Sequence, residues 1–411
     1  MRAPVLLLML TLLPAVSAAD APPFTLVECY HLALKRSETI AIQQEAIHEA
    51  EGRFMQAFSG VLPRASFSLS ERRQNGSGSV ADRVPERKFV FSQPLFSGFK
   101  EFAAMTGTRA ERRQRQHEKA RAEQLLLVDV ADAFYLLREQ REDLGTLELT
   151  RSILLGRLEE LEGRERLGRS RPSEVASASA QLRRIEADIE RARGLETSAR
   201  QLLEFLTGVD HIDAVADDAP LPVLDPEGTY LSAVASRPDV RAAEEAARVA
   251  GAQVRIAKGD FWPNVDLESN YYTERAGVSA DVDWDVLLSV DVPLFQGGQT
   301  AGTVRETKAQ ARAAELAMER TRRGALLDIR DAYAQLRTAL ERHAALAKAF
   351  AAAEENYRFQ AEDYRRSLVN NLDVLDALQK LQDARREVLG AEYAAKRLYW
   401  QLKTATGEAL S

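Results

Sequence analysis

The chain has one cysteine, Cys29, among its 411 residues, so no internal disulfide can form and stability must come from packing and assembly. Val27-Glu28-Cys29 lacks the small residue that a lipidation site needs before its cysteine, which leaves a plain helix-face thiol. After the first residues no stretch reaches the roughly 20 apolar residues of a transmembrane helix, so any membrane span has to be built from strands. Aromatic residues make up 7% of the chain and charged ones 28%, a composition of long solvated helices rather than one compact globule. The net charge of −7 argues against a nucleic-acid surface. The five histidines (31, 48, 117, 211 and 343) form neither an H-E-x-x-H pair nor a close cluster with Cys or Asp. Asp281-x-Asp283-x-Asp285 has Val286 and Val292 where a calcium loop needs Gly and Glu. With no phosphate-binding or G-x-S-x-G sequence either, no cofactor, metal or catalytic residue is expected.

What is present is a duplication. Pro94-Leu95-Phe96-Ser97-Gly98 recurs as Pro293-Leu294-Phe295-Gln296-Gly297, an offset of 199 residues. At the same offset Asp129, Asp132, Ala133, Leu137 and Arg138 fall on Asp328, Asp331, Ala332, Leu336 and Arg337, and Thr207-Gly208 on Thr406-Gly407. Upstream the offset becomes 200, because Pro63 meets Pro263 and Ala33-Leu34 meets Ala233-Val234. Tandem halves of this length imply structural pseudo-symmetry, not a short-period solenoid.

The start, Met1-Arg2, an apolar run over residues 5–13 and then Val16-Ser17-Ala18-Ala19, reads as a signal peptide over 1–19. Two repeats follow, 20–210 and 211–411. Proline is missing between Pro94 and Pro172 and after Pro293, which permits very long helices. The first repeat is expected to hold a helix, a β-hairpin at about 62–97 and a helical hairpin at about 98–207; the second is expected to hold a helix, a β-hairpin at about 262–296 and a helical hairpin at about 297–407. The long helix of the first repeat spans residues 100–166 and its return helix 173–206; in the second they begin near 303 and 372. Leu144, Leu147, Leu154, Leu158 and Leu161 keep near-heptad spacing, the signature of a coiled coil. In the strands, Val265, Leu267 and Tyr271 alternate with Asn264, Asp266, Glu268 and Asn270, and Val286, Leu288 and Val290 with Asp285, Ser289 and Asp291. Turns fall at Asn75-Gly76-Ser77-Gly78-Ser79 and near Ala276-Gly277. Strands with an apolar outer and a polar inner face suit a membrane barrel. Four strands cannot close one, and open edges are not tolerated in lipid, so closure needs further copies.

The duplicated halves, the strand ending in Pro-Leu-Phe-x-Gly before a very long helix, and Asn371-Leu372-Asp373-Val374-Leu375-Asp376-Ala377 after the second turn together resemble the TolC-like outer-membrane efflux proteins over essentially the whole mature length. The resemblance implies a mainly α fold with a transmembrane β-barrel portion, an internally duplicated protomer of a trimeric β-barrel/α-helical barrel channel-tunnel. It implies a homotrimer in outer-membrane lipid, whose helical barrel reaches into the periplasm and meets a periplasmic adaptor linked to an inner-membrane pump, proton-driven or ATP-driven. Such a chain is a passive duct in efflux or type I secretion, not an enzyme.

Glu174 and Asp373 are equivalent at the 199 offset, and Asp373 and Asp376 are three apart on one helix face. Carboxylates at a helix start serve the dipole and the cap; the resemblance instead places the two aspartates in a charged ring at the entrance. It also aligns Tyr364 with a tyrosine that helps to hold the tip closed, and Leu167-Gly168-Arg169 and Arg366-Ser367-Leu368 with the turns that touch the adaptor. Val369 stands where some members have a gating arginine, so that link is absent or made differently. The rival reading, a periplasmic adaptor, calls for one helical hairpin flanked by small β-domains, whereas this chain has two equivalent hairpins; a hydrolase would need a nucleophile, base and orienter, which are not found.

Overall fold

The computed structural model describes residues 23–75, 83–217, 219–276, 280–366 and 368–408. The signal peptide over 1–19, the turn residues Gly76, Ser77, Gly78 and Ser79, Gly277, and Ser367 lie outside the described residues. The elements run α1 (Leu26–Arg36), α2 (Glu38–Ser59), β1 (Arg64–Arg73), β2 (Arg83–Ser97), α3 (Lys100–Arg166), α4 (Pro172–Thr207), α5 (Glu227–Leu231), a 3₁₀ turn (Ser232–Ser236), α6 (Pro238–Gly259), β3 (Asn264–Arg275), β4 (Trp284–Asp291), α7 (Gln299–Arg365) and α8 (Asn371–Ala405). Helices α3 and α7 each have 67 residues, roughly 100 Å of rise. Helix α7 begins at Gln299, not near residue 303, because Gly297 and Gly298 turn the chain directly out of the Pro-Leu-Phe segment with φ of 60° and 87°. Gly98 and Phe99 do the same before α3 with φ of 67° and 60°.

The four strands form one antiparallel sheet in the order β1-β2-β3-β4, so the two hairpins of the duplication join through β2 and β3. Arg64 pairs with Ser92 and Asn264 with Asp291, which reproduces the 200 and 199 offsets in the strand register. One row crosses the sheet as Phe67, Phe89, Tyr271 and Trp284, all exposed. The opposite face is polar: Asp285 accepts hydrogen bonds from Asn270 Nδ2 at 2.9 Å and the Tyr272 hydroxyl at 2.8 Å. The hairpins are not equal. Strand β2 runs on through Pro94 to Ser97 because β3 pairs with it there, Phe96 with Val265; β4 stops at Asp291, before Pro293, where the described residues supply no neighbour.

Among the described residues three apolar clusters hold the helices. The first joins α1, the middle of α3, the end of α4 and the linker through Tyr30, Val130, Leu137, Leu203 and Ile212. Another holds the equivalent residues of the second half, Tyr230, Ile329, Leu336 and Leu402, so the duplication is written into the core. The remaining cluster fills the α3–α4 coiled coil, with Leu147, Leu154 and Leu161 seven apart against Ala178, Leu182, Ile185, Ile189 and Ala192 at alternating spacings of four and three. Leu144 and Leu158 pack on its flank. Cys29 is buried in the first cluster, and burial raises its thiol pKa to about 12. The linker is tied down by a bridge between Phe24 and Val215 and by Lys396 on Asp217 at 2.8 Å.

Candidate functional site at the helical hairpin tips

Both hairpins end far from the sheet in equivalent turns. At the first, Gly168 takes φ of 69° and the Arg169 amide donates to the Arg164 carbonyl at 2.8 Å. At the second, the Leu368 amide donates to the Asp363 carbonyl at 2.9 Å. Each closure satisfies an orphan carbonyl at a helix end. Leu167, Gly168 and Arg169 are exposed, as is Leu368, so each tip shows a leucine to solvent beside an arginine, Arg169 at one and Arg366 at the other.

Tyr364 is 7% exposed and is covered by α3 of its own chain. Arg157 lies over its ring with the guanidinium carbon 3.8 Å from the centroid, Arg164 lies at 4.8 Å, and Arg164 Nη1 donates to the Tyr364 hydroxyl at 3.2 Å. Arg157 Nε also donates to Asn371 Oδ1 at 2.8 Å, and Asn371 is buried at the first position of α8. Glu160 holds both cations, accepting from Arg157 at 3.1 Å and from Arg164 at 2.7 Å. Arg157, Glu160 and Arg164 thus fasten the first hairpin to both helices of the second. Sequence reasoning missed them. Their spacing of three and four on one helix face was the available signal, but it is common on charged helices and does not show what the cations cover. Arg157 Nη2 and Asn371 Nδ2 are buried with no hydrogen-bond partner among the described residues, which makes this latch costly to hold. Val369 is half-buried and supplies no polar link.

The carboxylates are placed by capping. Glu174 accepts from the Ser170 hydroxyl at 2.6 Å and the Arg171 amide at 3.4 Å, at the start of α4. Asp373 accepts from the Asn370 amide at 3.1 Å, while Asn370 Oδ1 accepts from the Leu372 and Asp373 amides at 2.8 and 3.2 Å. The start of α8 is thus a reciprocal capping box; at α4 only the Glu174 half is made, since an arginine side chain has no acceptor and the Glu174 amide donates to the Arg171 carbonyl at 2.9 Å instead. Asp376 lies one turn on, exposed, and pairs with Lys380 Nζ at 2.7 Å. Among the described residues no group of His, Cys, Asp and Glu could hold a metal ion, and no helix is long and apolar enough to cross a membrane.

A sheet with one apolar face is set on a column of helices that ends in paired turns. The sequence pattern of the outer membrane efflux protein family matches residues 29–209 and again 229–408, and the chain belongs to that family. It is similar to the cation efflux system protein CusC of Escherichia coli, 23% identical over 249 residues, 58% of this chain and 54% of that protein. It is also similar to the outer membrane protein TolC of Vibrio cholerae, 22% identical over 388 residues, 90% of this chain and 86% of that one. With OprJ of Pseudomonas aeruginosa matched over 57% of its length, the chain spans little more than half of CusC and OprJ. The solved structure of CusC superposes with a TM-score of 0.83 at 18% identity, covering 93% of this chain and 92% of that one. VceC of Vibrio cholerae gives 0.80 at 21%, covering 94% and 97%.

Proposed function

We propose that three copies of this chain form a passive outer-membrane duct, a twelve-stranded barrel continued by a helical barrel into the periplasm, which exports cargo handed on by an adaptor and an inner-membrane pump. The observation that carries this reading is the sheet. Its apolar face is exposed, its other face holds a polar network, and among the described residues β1 and β4 each leave one edge unpaired. Such edges are not tolerated in lipid and have to be closed by neighbours. Family membership and the full-length likeness of the fold support the reading. The tips then stand at the periplasmic entrance. Leu167, Gly168, Arg169, Ser367 and Leu368 would meet the adaptor; Glu174, Asp373 and Asp376 would face the entering cargo; and Tyr364 would hold the tip shut. In a trimer, two aspartates per chain make a ring that favours cations over anions. Energy enters at the pump, so no catalytic group is called for here. Light scattering of the detergent-extracted protein should give the mass of three copies, and planar bilayers should show single-channel steps. A stable monomer with full β content would sink the reading.

A further inference from the structure

The protomer already contains one junction between its two halves, and the duplication predicts what a second would look like. Inside the chain β2 pairs with β3, and α3 packs on α6 through small residues. Ala103 and Ala110 are buried, and a Cβ on Gly107 would stand 3.0 Å from that of Ala252. A two-armed ion pair locks the two helices: Arg113 Nε and Nη2 donate to the two carboxylate oxygens of Glu245 at 2.9 and 2.8 Å, with Glu245 5% exposed. The equivalents of β2 and α3 are β4 and α7, and those of β3 and α6 are β1 and α2. In the isolated protomer these equivalents sit at opposite ends of the sheet and each shows a free face.

Carried over at offsets of 199 and 200, Arg113 becomes Arg312 and Glu245 becomes Glu45. The charge types are kept. Both side chains are exposed, and neither makes an ion pair or hydrogen bond among the described residues. Such retention is not general: Asp143 and Arg386, paired at 2.5 and 2.8 Å, become Arg342 and Ala187. Surrounding apolar residues tell the same story. Ala242, 7% exposed, becomes Ile42, 66% exposed; Phe96, packed edge-on against Trp262, becomes Phe295, 89% exposed. A Cβ on Gly98 would meet the Gly259 carbonyl oxygen at 2.3 Å, whereas one on Gly297 would meet nothing within 4 Å.

We infer that Arg312 of one copy pairs in two-armed fashion with Glu45 of the next, where β4 and α7 of the first stand against β1 and α2 of the second. The strand register follows from the same offsets. Phe91 with Ser269 and Phe96 with Val265 become Val290 with Leu69 and Phe295 with Ala65 of the next copy, so β4 lengthens past Pro293 when its partner is present. A contact of one surface with a different surface of an identical copy closes into a ring when the rotation allows.

This inference rests on the trimer reading, and the test separates the two. In the full-length protein, Arg312→Glu and Glu45→Arg each set like charges face to face and should shorten the lifetime of the trimer in SDS by about tenfold. The double reversal should restore most of it, since a contacting pair is non-additive. Independently, Glu45→Cys with Arg312→Cys should give covalent dimers and trimers with a short bismaleimide, while Glu45→Cys with Arg323→Cys, about 16 Å further along α7, should not. A trimeric wild type with additive reversals, or with no selective cross-link, overturns the Arg312–Glu45 pair and leaves the trimer standing. A wild type that is not trimeric overturns both.

Discussion

The guanidinium of Arg157 stacks 3.8 Å from the ring centroid of Tyr364, so the tip of the second hairpin is clamped by the first hairpin of the same chain. A stack of this kind is worth about 0.5–2 kcal/mol depending on desolvation, and burial of the ring adds to it. Tyr364→Ala should therefore raise single-channel conductance or open probability without changing trimer yield. Tyr364→Phe loses only the hydrogen bond from Arg164 and should stay near the wild type. Wild-type conductance in the alanine variant would remove Tyr364 from the latch.

Asp373 and Asp376 separate capping from field effects. Asn at 373 keeps an oxygen for the Asn370 amide, so the cost to α8 should stay below about 1 kcal/mol. The double change to Asn removes two charges per chain and should shift the reversal potential in a salt gradient toward lower cation preference. Unchanged selectivity would place both carboxylates on an outer, solvated face.

Much of the architecture was legible. The absence of proline, together with breaker residues such as Gly168 and Pro172, marks a helix over residues 100–166 that is α3 itself, and the 199 and 200 offsets recur in strand register and core. Strand length was less legible. Equal motifs in the two halves predicted equal hairpins, yet β2 has 15 residues and β4 has 8, because pairing depends on a neighbour that the motif does not encode. The tips divided in the same way. The 199 offset set Glu174 and Asp373 at equivalent helix starts and the resemblance pointed to Tyr364, but the cover over Tyr364 comes from residues some 200 positions away in the chain, and one sequence gives no reason to choose Arg157 among many arginines.

Acid should loosen the internal junction. Burial alone would raise the Glu245 carboxyl, but the Arg113 hydrogen bonds and the charges of Arg113 and Arg248 outweigh it, and its pKa is lowered. A carboxyl lowered in the folded state stabilises at pH above its unfolded value of about 4.3, and that contribution is lost as pH falls through the lower folded value. Thermal unfolding followed from pH 6 to pH 3 should show a shallower acid decline in Glu245→Gln, with lower stability at pH 6. A parallel decline in both proteins would mean that Glu245 does not carry this linkage.

The two coiled coils differ where the duplication should make them alike. In α3 the positions facing α4 are Leu147, Leu154 and Leu161, all fully buried; at the 199 offset α7 has Leu346, Ala353 and Gln360. The Gln360 Oε1 atom is buried and has no hydrogen-bond partner among the described residues, which costs about 1–3 kcal/mol, so the second hairpin is the less firmly packed of the two near its tip. Gln360→Leu restores the leucine of the first hairpin. It should stabilise the α7–α8 tip by about 1 kcal/mol through added apolar burial and relief of the orphaned carbonyl. Amide exchange in the last turns of α7 and the first turns of α8 should then slow by about fivefold, with α3 and α4 unchanged. Leu154→Ala in the first hairpin is the reverse case and should cost about 2–5 kcal/mol there. Unchanged or faster exchange in Gln360→Leu would show that residue 360 does not occupy the position that Leu161 holds, and that the softness of the second hairpin lies in Ala353 instead.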